Sequence, residues 1–248
     1  MVTGASSGLG AEFARQLAAR GASRLILVAR RRARLEALAA SLSCETVVEE
    51  LDLTDRAAVT GLIARHSPDI LINNAGMGII GPLLERPAEL MVELNVVTTT
   101  RLIEGWLPAM VQRGHGGILN VGSTAGLVAT PYMAAYSGTK AYVNVFSEGL
   151  RMELLGSGVR VTNLAPGPVA TEFFEVAAPG AKSPPSWLMQ KPETTVRAGL
   201  RGLERNRPTV MPGLIWLAMF WRKWTPEWVV RLFLRAYGHT LKGMSEAK

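Results

Sequence analysis

The sequence predicts an α/β fold, a doubly wound parallel sheet with helices on both faces. Three observations carry that expectation. Short apolar runs alternate with segments of helical period along most of the chain. The runs are bounded by turn residues and show no polar alternation, as strands buried on both faces do. A glycine-rich turn near the start leads straight into a helical segment.

The elements follow in order. Ala11 to Arg20 reads as a helix, Arg24 to Ala29 as a strand and Arg34 to Leu42 as a helix, with Leu35, Leu38 and Leu42 at helical spacing. Glu45 to Leu51 reads as a strand, Ala57 to His66 as a helix and Ile70 to Ile72 as a strand. Ala88 to Val111 reads as one long helix bent near Pro108, whose ring removes an interior hydrogen bond. Gly117 to Val121 is a strand, Ala135 to Leu155 a long helix and Val159 to Leu164 a strand. Ala177 to Pro192, rich in Pro, Ala and Ser, reads as a mobile loop. The division expected is a domain over residues 1–211 followed by a helical extension over 212–248.

Composition narrows the class. The 248 residues are 48% hydrophobic and 19% charged, enough for a large core and unlike disordered or collagen-like chains. The single cysteine, Cys44, excludes an intrachain disulfide framework and a multi-cysteine metal cluster, and fits a reducing, cytoplasmic setting. His66, His115 and His239 fit no ligand spacing, so no metal site is expected. Met1-Val2 runs directly into the glycine turn, which leaves no secretory segment there to expect. Twenty-seven Lys and Arg against 20 Asp and Glu give +7, and residues 201–248 hold nine of the former and three of the latter. The basic charge therefore sits in a Trp-rich tail, and no nucleic-acid recognition motif accompanies it.

The glycine turn, Thr3-Gly4-x-x-x-Gly8-x-Gly10, suits a pyrophosphate. Gly4 and Gly8 permit a sharp turn and close backbone approach, and the following helix offers free N–H groups and a positive dipole end. Nineteen residues beyond Gly10, Ala29 stands where an acidic residue would bind an NAD ribose, and Arg30 follows it. Arg30 can pair with a 2′-phosphate, which favours NADP(H) over NAD. Glycine turns also cap ordinary helices, and an arginine run also serves as a solvated helix start.

Tyr136-x-x-x-Lys140 places two side chains one helical turn apart. A nearby ammonium is expected to lower the phenol pKa and ready Tyr136 for proton transfer. Ser123 follows the strand ending at Val121, where ligand sites of parallel sheets collect. Taken singly, each feature has a plain account: a surface Tyr–Lys pair, or turn chemistry at Ser123-Thr124.

Together these residues resemble the short-chain dehydrogenase/reductase superfamily. The likeness rests on the glycine turn, Asp52 in Leu51-Asp52-Leu53, Asn73-Asn74-Ala75-Gly76, Asn95, Ser123, Tyr136-x-x-x-Lys140, and Pro166-Gly167 with Thr171. It covers residues 1–171 in register and extends toward 211. The resemblance implies a Rossmann-type fold and carbonyl–alcohol interconversion with NADP(H). Tyr136 would be the general acid/base, Lys140 its activator and ribose ligand, Ser123 the residue that orients the carbonyl, and Asn95 the holder of a relay water. The cofactor positions it implies are Gly4, Ser6, Ser7, Gly8, Leu9, Gly10, Arg30, Asp52, Leu53, Asn74, Ala75, Gly76, Tyr136, Lys140, Pro166, Gly167, Val169 and Thr171. One departure stands out: only Met1 and Val2 precede Thr3, where the family usually has a full central strand. A short first strand is expected to lower stability and cofactor affinity.

The tail is apolar as well as basic. Four of the six Trp lie between Trp216 and Trp228. Thr225-Pro226 opens a helix in which Glu227, Arg231, Arg235 and His239 form a narrow polar stripe among Trp228, Val229, Val230, Leu232, Phe233 and Leu234. Three partners remain open for it: its own domain and pocket, a subunit interface, or a membrane surface, which would make the protein peripheral. No apolar run there reaches the roughly 20 residues that span a bilayer. An apolar lid implies a small hydrophobic carbonyl or alcohol substrate. The two long helices imply a homodimer or homotetramer. The alternative class is a non-catalytic nucleotide-binding sensor or scaffold on the same fold.

Overall fold

The computed structural model describes residues 1–178, 185–222, 224–226, 228–232, 234–235 and 238. Its first half alternates β1 (Val2–Thr3), α1 (Gly8–Ala19), β2 (Arg24–Ala29), α2 (Arg32–Ala40), β3 (Glu45–Glu50), α3 (Arg56–Arg65) and β4 (Ile70–Asn73). A helical stretch follows in three parts: α4 (Glu89–Val92), a π-helical segment (Glu93–Thr98) and α5 (Thr99–Arg113). Then come β5 (Gly116–Val121), a 3-10 turn (Thr124–Leu127), α6 (Ala134–Glu153), β6 (Val159–Leu164), α7 (Phe173–Ala177), α8 (Pro192–Glu204), β7 (Thr209–Val210) and α9 (Ile215–Arg222).

All strand pairs are parallel, in the order β3-β2-β1-β4-β5-β6-β7. The order reverses between β1 and β4, so the two chain segments leaving those strands diverge and open a crevice at the carboxyl edge. The doubly wound sheet is therefore as expected. As the few residues before the glycine turn imply, β1 has two residues, paired as Val2 with Leu27 and Ile72, and Thr3 with Val28.

Two apolar layers sandwich the sheet. Phe13, Leu27, Leu35, Leu119, Leu164 and Leu200 fill the face under α1, α2 and α8. Val28, Leu62, Leu71, Leu102, Trp106 and Ile118 fill the other, under α3, α5 and α6. Trp106 anchors that layer, its indole N–H donating to the His66 carbonyl at 2.7 Å. Asp55 starts α3 by accepting from the amides of Ala57 (2.9 Å) and Ala58 (3.1 Å), as an acidic N-cap does.

Three expectations change. The stretch expected as one helix over Ala88–Val111 widens into π geometry at Glu93–Thr98, not at Pro108, which lies inside continuous α5. The extra residue in that turn accompanies the buried Asn95, as π segments often do beside polar sites. The loop expected over Ala177–Pro192 is partly ordered: Ala177 closes α7 and is buried, Ser186–Leu188 form a 3-10 turn, and Gln190 bridges to Val169. Residues 179–184 of it lie outside the described residues, as do Glu227, Phe233 and His239 of the tail. The amphipathic α8 was not anticipated. Pro192 occupies its first turn, and its buried Val196, Leu200 and Leu203 face the core beside α1.

Candidate functional site

The glycine turn is shaped by steric necessity. Gly4 and Gly8 have φ of +66° and +52°. A Cβ on Gly10 would lie 2.1 Å from the Gly4 carbonyl oxygen, and one on Gly4 would lie 2.9 Å from the Ala75 Cα. Ser7 stands at the N-cap of α1 without a side-chain cap bond, so the first-turn donors face the crevice unclaimed by it. Leu9 packs partly buried on the core behind the loop. The turn is clasped to β4: the Thr3 hydroxyl accepts from the Asn74 and Ala75 amides at 3.0 Å each, and the Asn74 side-chain amide donates to the Thr3 carbonyl at 2.9 Å. This loop, with its open helix end and no room for side chains, fits a pyrophosphate.

Beside it the arginine assignment shifts. Arg30 is exposed, and its guanidinium only approaches Asp52 at 3.9 Å. Arg31 instead donates to Ser6 Oγ at 3.2 Å and Ser7 Oγ at 2.7 Å. The backbone turns after β2 so that the second arginine, not the first, reaches back over the loop. Asp52 is occupied locally, accepting from the Thr54 amide (2.9 Å) and hydroxyl (2.8 Å); these bonds, the backbone one foremost, hold its carboxyl below the usual range. Leu53 beside it is buried.

Of the expected catalytic residues, Ser123 follows the carboxyl end of β5, Tyr136 and Lys140 stand on α6, and Asn95 lies in the π-helical segment. Asn95, Ser123, Tyr136 and Lys140 are all buried. Lys140 Nζ donates to the Val121 carbonyl at 2.8 Å and sits 6.0 Å from the Tyr136 ring centre. A Cβ on Gly76 would lie 3.2 Å from Asn95 Oδ1 and 3.4 Å from Lys140 Nζ, so Gly76 separates these two groups by its bare backbone. Asn95 grips Met77 from both sides, accepting from its amide at 3.0 Å and donating to its carbonyl at 2.9 Å. Pro166 accepts from Thr124 at 3.0 Å, and Gly167 follows it. Val169 leads to Thr171, whose methyl group would touch a Cβ on Gly8 at 3.1 Å. Glycine turn, Asn74–Gly76 segment, Lys140 and Thr171 thus ring one crevice.

The pKa expectation for Tyr136 is corrected. Burial pushes its phenol up to about 12, and its bond with the Ser123 side chain only partly offsets this. Burial likewise lowers Lys140 to about 8. Desolvation outweighs the ammonium, which is turned toward the Val121 carbonyl.

Comparison with known proteins agrees with this geometry. The family described as short chain dehydrogenase matches residues 1–181. An uncharacterized short-chain type dehydrogenase/reductase, y4eK, of Sinorhizobium fredii is 38% identical over 181 residues, 71% of this chain and 72% of that protein. The chain belongs to the short-chain dehydrogenases. A very-long-chain 3-oxoacyl-CoA reductase of Anas platyrhynchos is 32% identical over 233 residues, 86% of this chain and 71% of that one. A short-chain dehydrogenase from Sphingobium yanoikuyae, solved in complex with NADPH, superposes with a TM-score of 0.80 at 34% identity, over 90% and 92% of the two chains.

Within this short-chain dehydrogenase, sequence reading named Asn73 but not the row it belongs to, and missed several other supporting residues. Asn73, Asn120 and Asn163 align in register across β4, β5 and β6. Asn73 donates to Asn120 at 3.0 Å, Asn120 to Ser147 at 2.9 Å, and Asn163 to Asn144 at 3.0 Å. Asn144 lies one helical turn beyond Lys140 on the same face, a spacing that was readable. Phe173 was not: its ring lies 5.4 Å from that of Tyr136, and a Cβ on Gly78 would strike it at 2.3 Å.

Proposed function

We propose that this short-chain dehydrogenase interconverts a hydrophobic ketone or aldehyde and its alcohol with NADP(H), using Tyr136, Ser123, Lys140 and Asn95. The observation that carries the reading is the convergence of these four buried side chains, with the glycine turn, on the crevice where the strand order reverses. Gly4, Gly8, Gly10 and the open end of α1 would hold the pyrophosphate, and Arg31 beside Ser6 and Ser7 would take the 2′-phosphate. NADPH, when bound, supplies the hydride. Burial holds the Tyr136 phenol protonated, and it is the group that presents an acidic hydrogen to a carbonyl oxygen. Ser123 shares that oxygen. Lys140 donates to the Val121 carbonyl while its Nζ lies 6.0 Å from the Tyr136 ring centre, near enough for its charge to favour a developing phenolate.

A hydrophobic substrate is favoured by what surrounds the crevice. Phe173 packs on Tyr136, and a cavity of about 240 Å³ near the start of α6 is lined mainly by apolar groups, among them Ile79, Pro82, Met91 and Met133, with Arg86 as its charged member. The tail returns to this side: Val230 is buried, and a Cβ on Gly238 would lie 2.8 Å from Pro131. Residues 212–248 form the extension in this reading, beginning at the buried Pro212.

The outer side of that extension differs. Trp221, Trp224 and Trp228 are 64%, 74% and 70% exposed, so they are not spent covering their own domain. We assign them, with the basic charge of the tail, to peripheral contact with an anionic membrane surface. No helix among the described residues is long and apolar enough to cross a membrane. The exposed Val145, Met152 and Leu155 at the outer side of α6 and beyond its end favour a homo-oligomer.

The test is loss of NADPH absorbance with a panel of apolar ketones. Turnover is expected for the native chain. Tyr136→Phe should lose nearly all of it while still binding NADPH. Binding of NADPH with no turnover of any carbonyl or alcohol would favour the sensor instead.

A further inference from the structure

Glu172 lies between the two halves of the crevice. Its carboxylate accepts from Arg34 Nη1 at 2.7 and 3.0 Å and from Arg31 Nη1 at 3.1 Å. The remaining edge of the Arg31 guanidinium is on Ser6 and Ser7 of the glycine turn. Glu172 also begins the segment that covers the catalytic tyrosine, since the next residue is Phe173. Thr171 on its other side rests against Gly8. One side chain therefore ties the strap over Tyr136 to the arginines beside the phosphate turn.

The charge of this cluster is unequal. Two guanidiniums face one carboxylate, whose pKa they hold down, the Arg34 bond foremost. A phosphate monoester carries about −1.5 to −2 at neutral pH and offers three acceptor oxygens, so it matches two arginines better than a carboxylate does. We propose that Glu172 is an internal stand-in for the 2′-phosphate of NADP(H): it pairs with Arg31 and Arg34 until that phosphate displaces it, and the displacement frees the strap over Tyr136. The inference rests on the NADP(H) reading above. Glu172 then acts on cofactor choice in two ways: its competition weakens NADPH relative to NADH in binding, while NADP(H) alone has a group that displaces it and frees the strap.

The experiment compares Glu172→Gln and Glu172→Ala with the native chain, measuring Kd by fluorescence titration for NADPH and NADH and by calorimetry for 2′,5′-ADP and 5′-ADP. Removing a competing exposed ion pair should tighten NADPH and 2′,5′-ADP by about three- to tenfold and leave NADH and 5′-ADP nearly unchanged. Glu175→Gln removes a carboxylate three residues away and should leave the NADPH-to-NADH ratio as it is. Amide exchange supplies the second readout: adding 2′,5′-ADP should speed exchange across residues 172–178 in the native chain, and both Glu172 variants should show the fast pattern without it. An unchanged or weakened NADPH affinity in the variants overturns the proposal, as does equal tightening of NADH, the same effect from Glu175→Gln, or slower exchange on adding 2′,5′-ADP. If the native chain binds neither NADPH nor 2′,5′-ADP, the NADP(H) reading itself fails and the stand-in role falls with it.

Discussion

The Asn144 side-chain amide donates to the Ser123 carbonyl at 3.0 Å, and its Oδ1 accepts from Asn163 at 3.0 Å. Asn144 thus ties the residue proposed to orient the substrate oxygen to β6, without facing that oxygen itself. Asn144→Ala removes the tie and leaves the buried Asn163 side-chain amide without its acceptor, at a cost of about 1–3 kcal/mol, while the Ser123 carbonyl keeps its bond from the Gly126 amide. The expected outcome is a kcat lowered about tenfold, because small misplacements of reacting groups are expensive. The Kd for NADPH should stay near native, since Asn144 is remote from the glycine turn. If kcat and cofactor affinity fall together, Asn144 is a general structural residue.

The two shifted groups give opposite pH slopes. Lys140 falls from its ordinary 10.5 to about 8, so between those values the unfolded chain holds a proton that the folded chain has released. Stability from this group therefore rises with pH across that window. Tyr136 rises from 10.0 to about 12, so there the folded chain holds the extra proton and stability falls with pH. Melting curves of the native chain and Lys140→Met, at about pH 8 and about pH 10, separate the first effect. The native chain should gain stability relative to the variant on going to the higher pH. In the same range turnover should decline as Lys140 loses its charge.

Gly10→Ala tests the phosphate turn. The added methyl would sit 2.1 Å from backbone, which no side-chain rotation relieves. The turn must open, and with it the clasp between Thr3 and Asn74. NADPH affinity is expected to fall by about two orders of magnitude or more, by analogy with other losses of close backbone fit. Calorimetric titration measures it. Near-native affinity would place the pyrophosphate elsewhere.

The parts legible in the sequence were those fixed by local chemistry. Buried parallel strands announce themselves as apolar runs, and the Tyr136–Lys140 spacing is a property of one helix. What escaped depended on how distant segments meet. Arg30 and Arg31 are equivalent by composition, and only the backbone direction after β2 sends Arg31 to Ser6 and Ser7. The Asn73–Asn120–Asn163 row exists because three strands pair in one register, which no single segment encodes. The Tyr136 pKa was misjudged because spacing gives the neighbour and not the burial. Phe173 opens a short helix and Glu172 stands just before it, where nothing periodic marks a lid.

The last expectation concerns the tail. Trp216, Trp221, Trp224 and Trp228 are exposed within a short stretch, and Phe220 and Leu232 are exposed with them. Indole rings favour the interfacial layer of a bilayer, and each basic residue near an anionic surface adds about 1 kcal/mol. Sedimentation with vesicles containing phosphatidylserine should pellet the protein, and vesicles of phosphatidylcholine alone should pellet much less. Raising the salt should weaken the association, because screening acts within about 10 Å at 0.1 M ionic strength. A variant carrying Trp221→Ser, Trp224→Ser and Trp228→Ser should stay in the supernatant yet retain NADPH binding, since these residues do not contact the glycine turn. Protein that ignores both vesicle types but loses its oligomeric state in that variant would instead assign the tryptophans to a subunit interface.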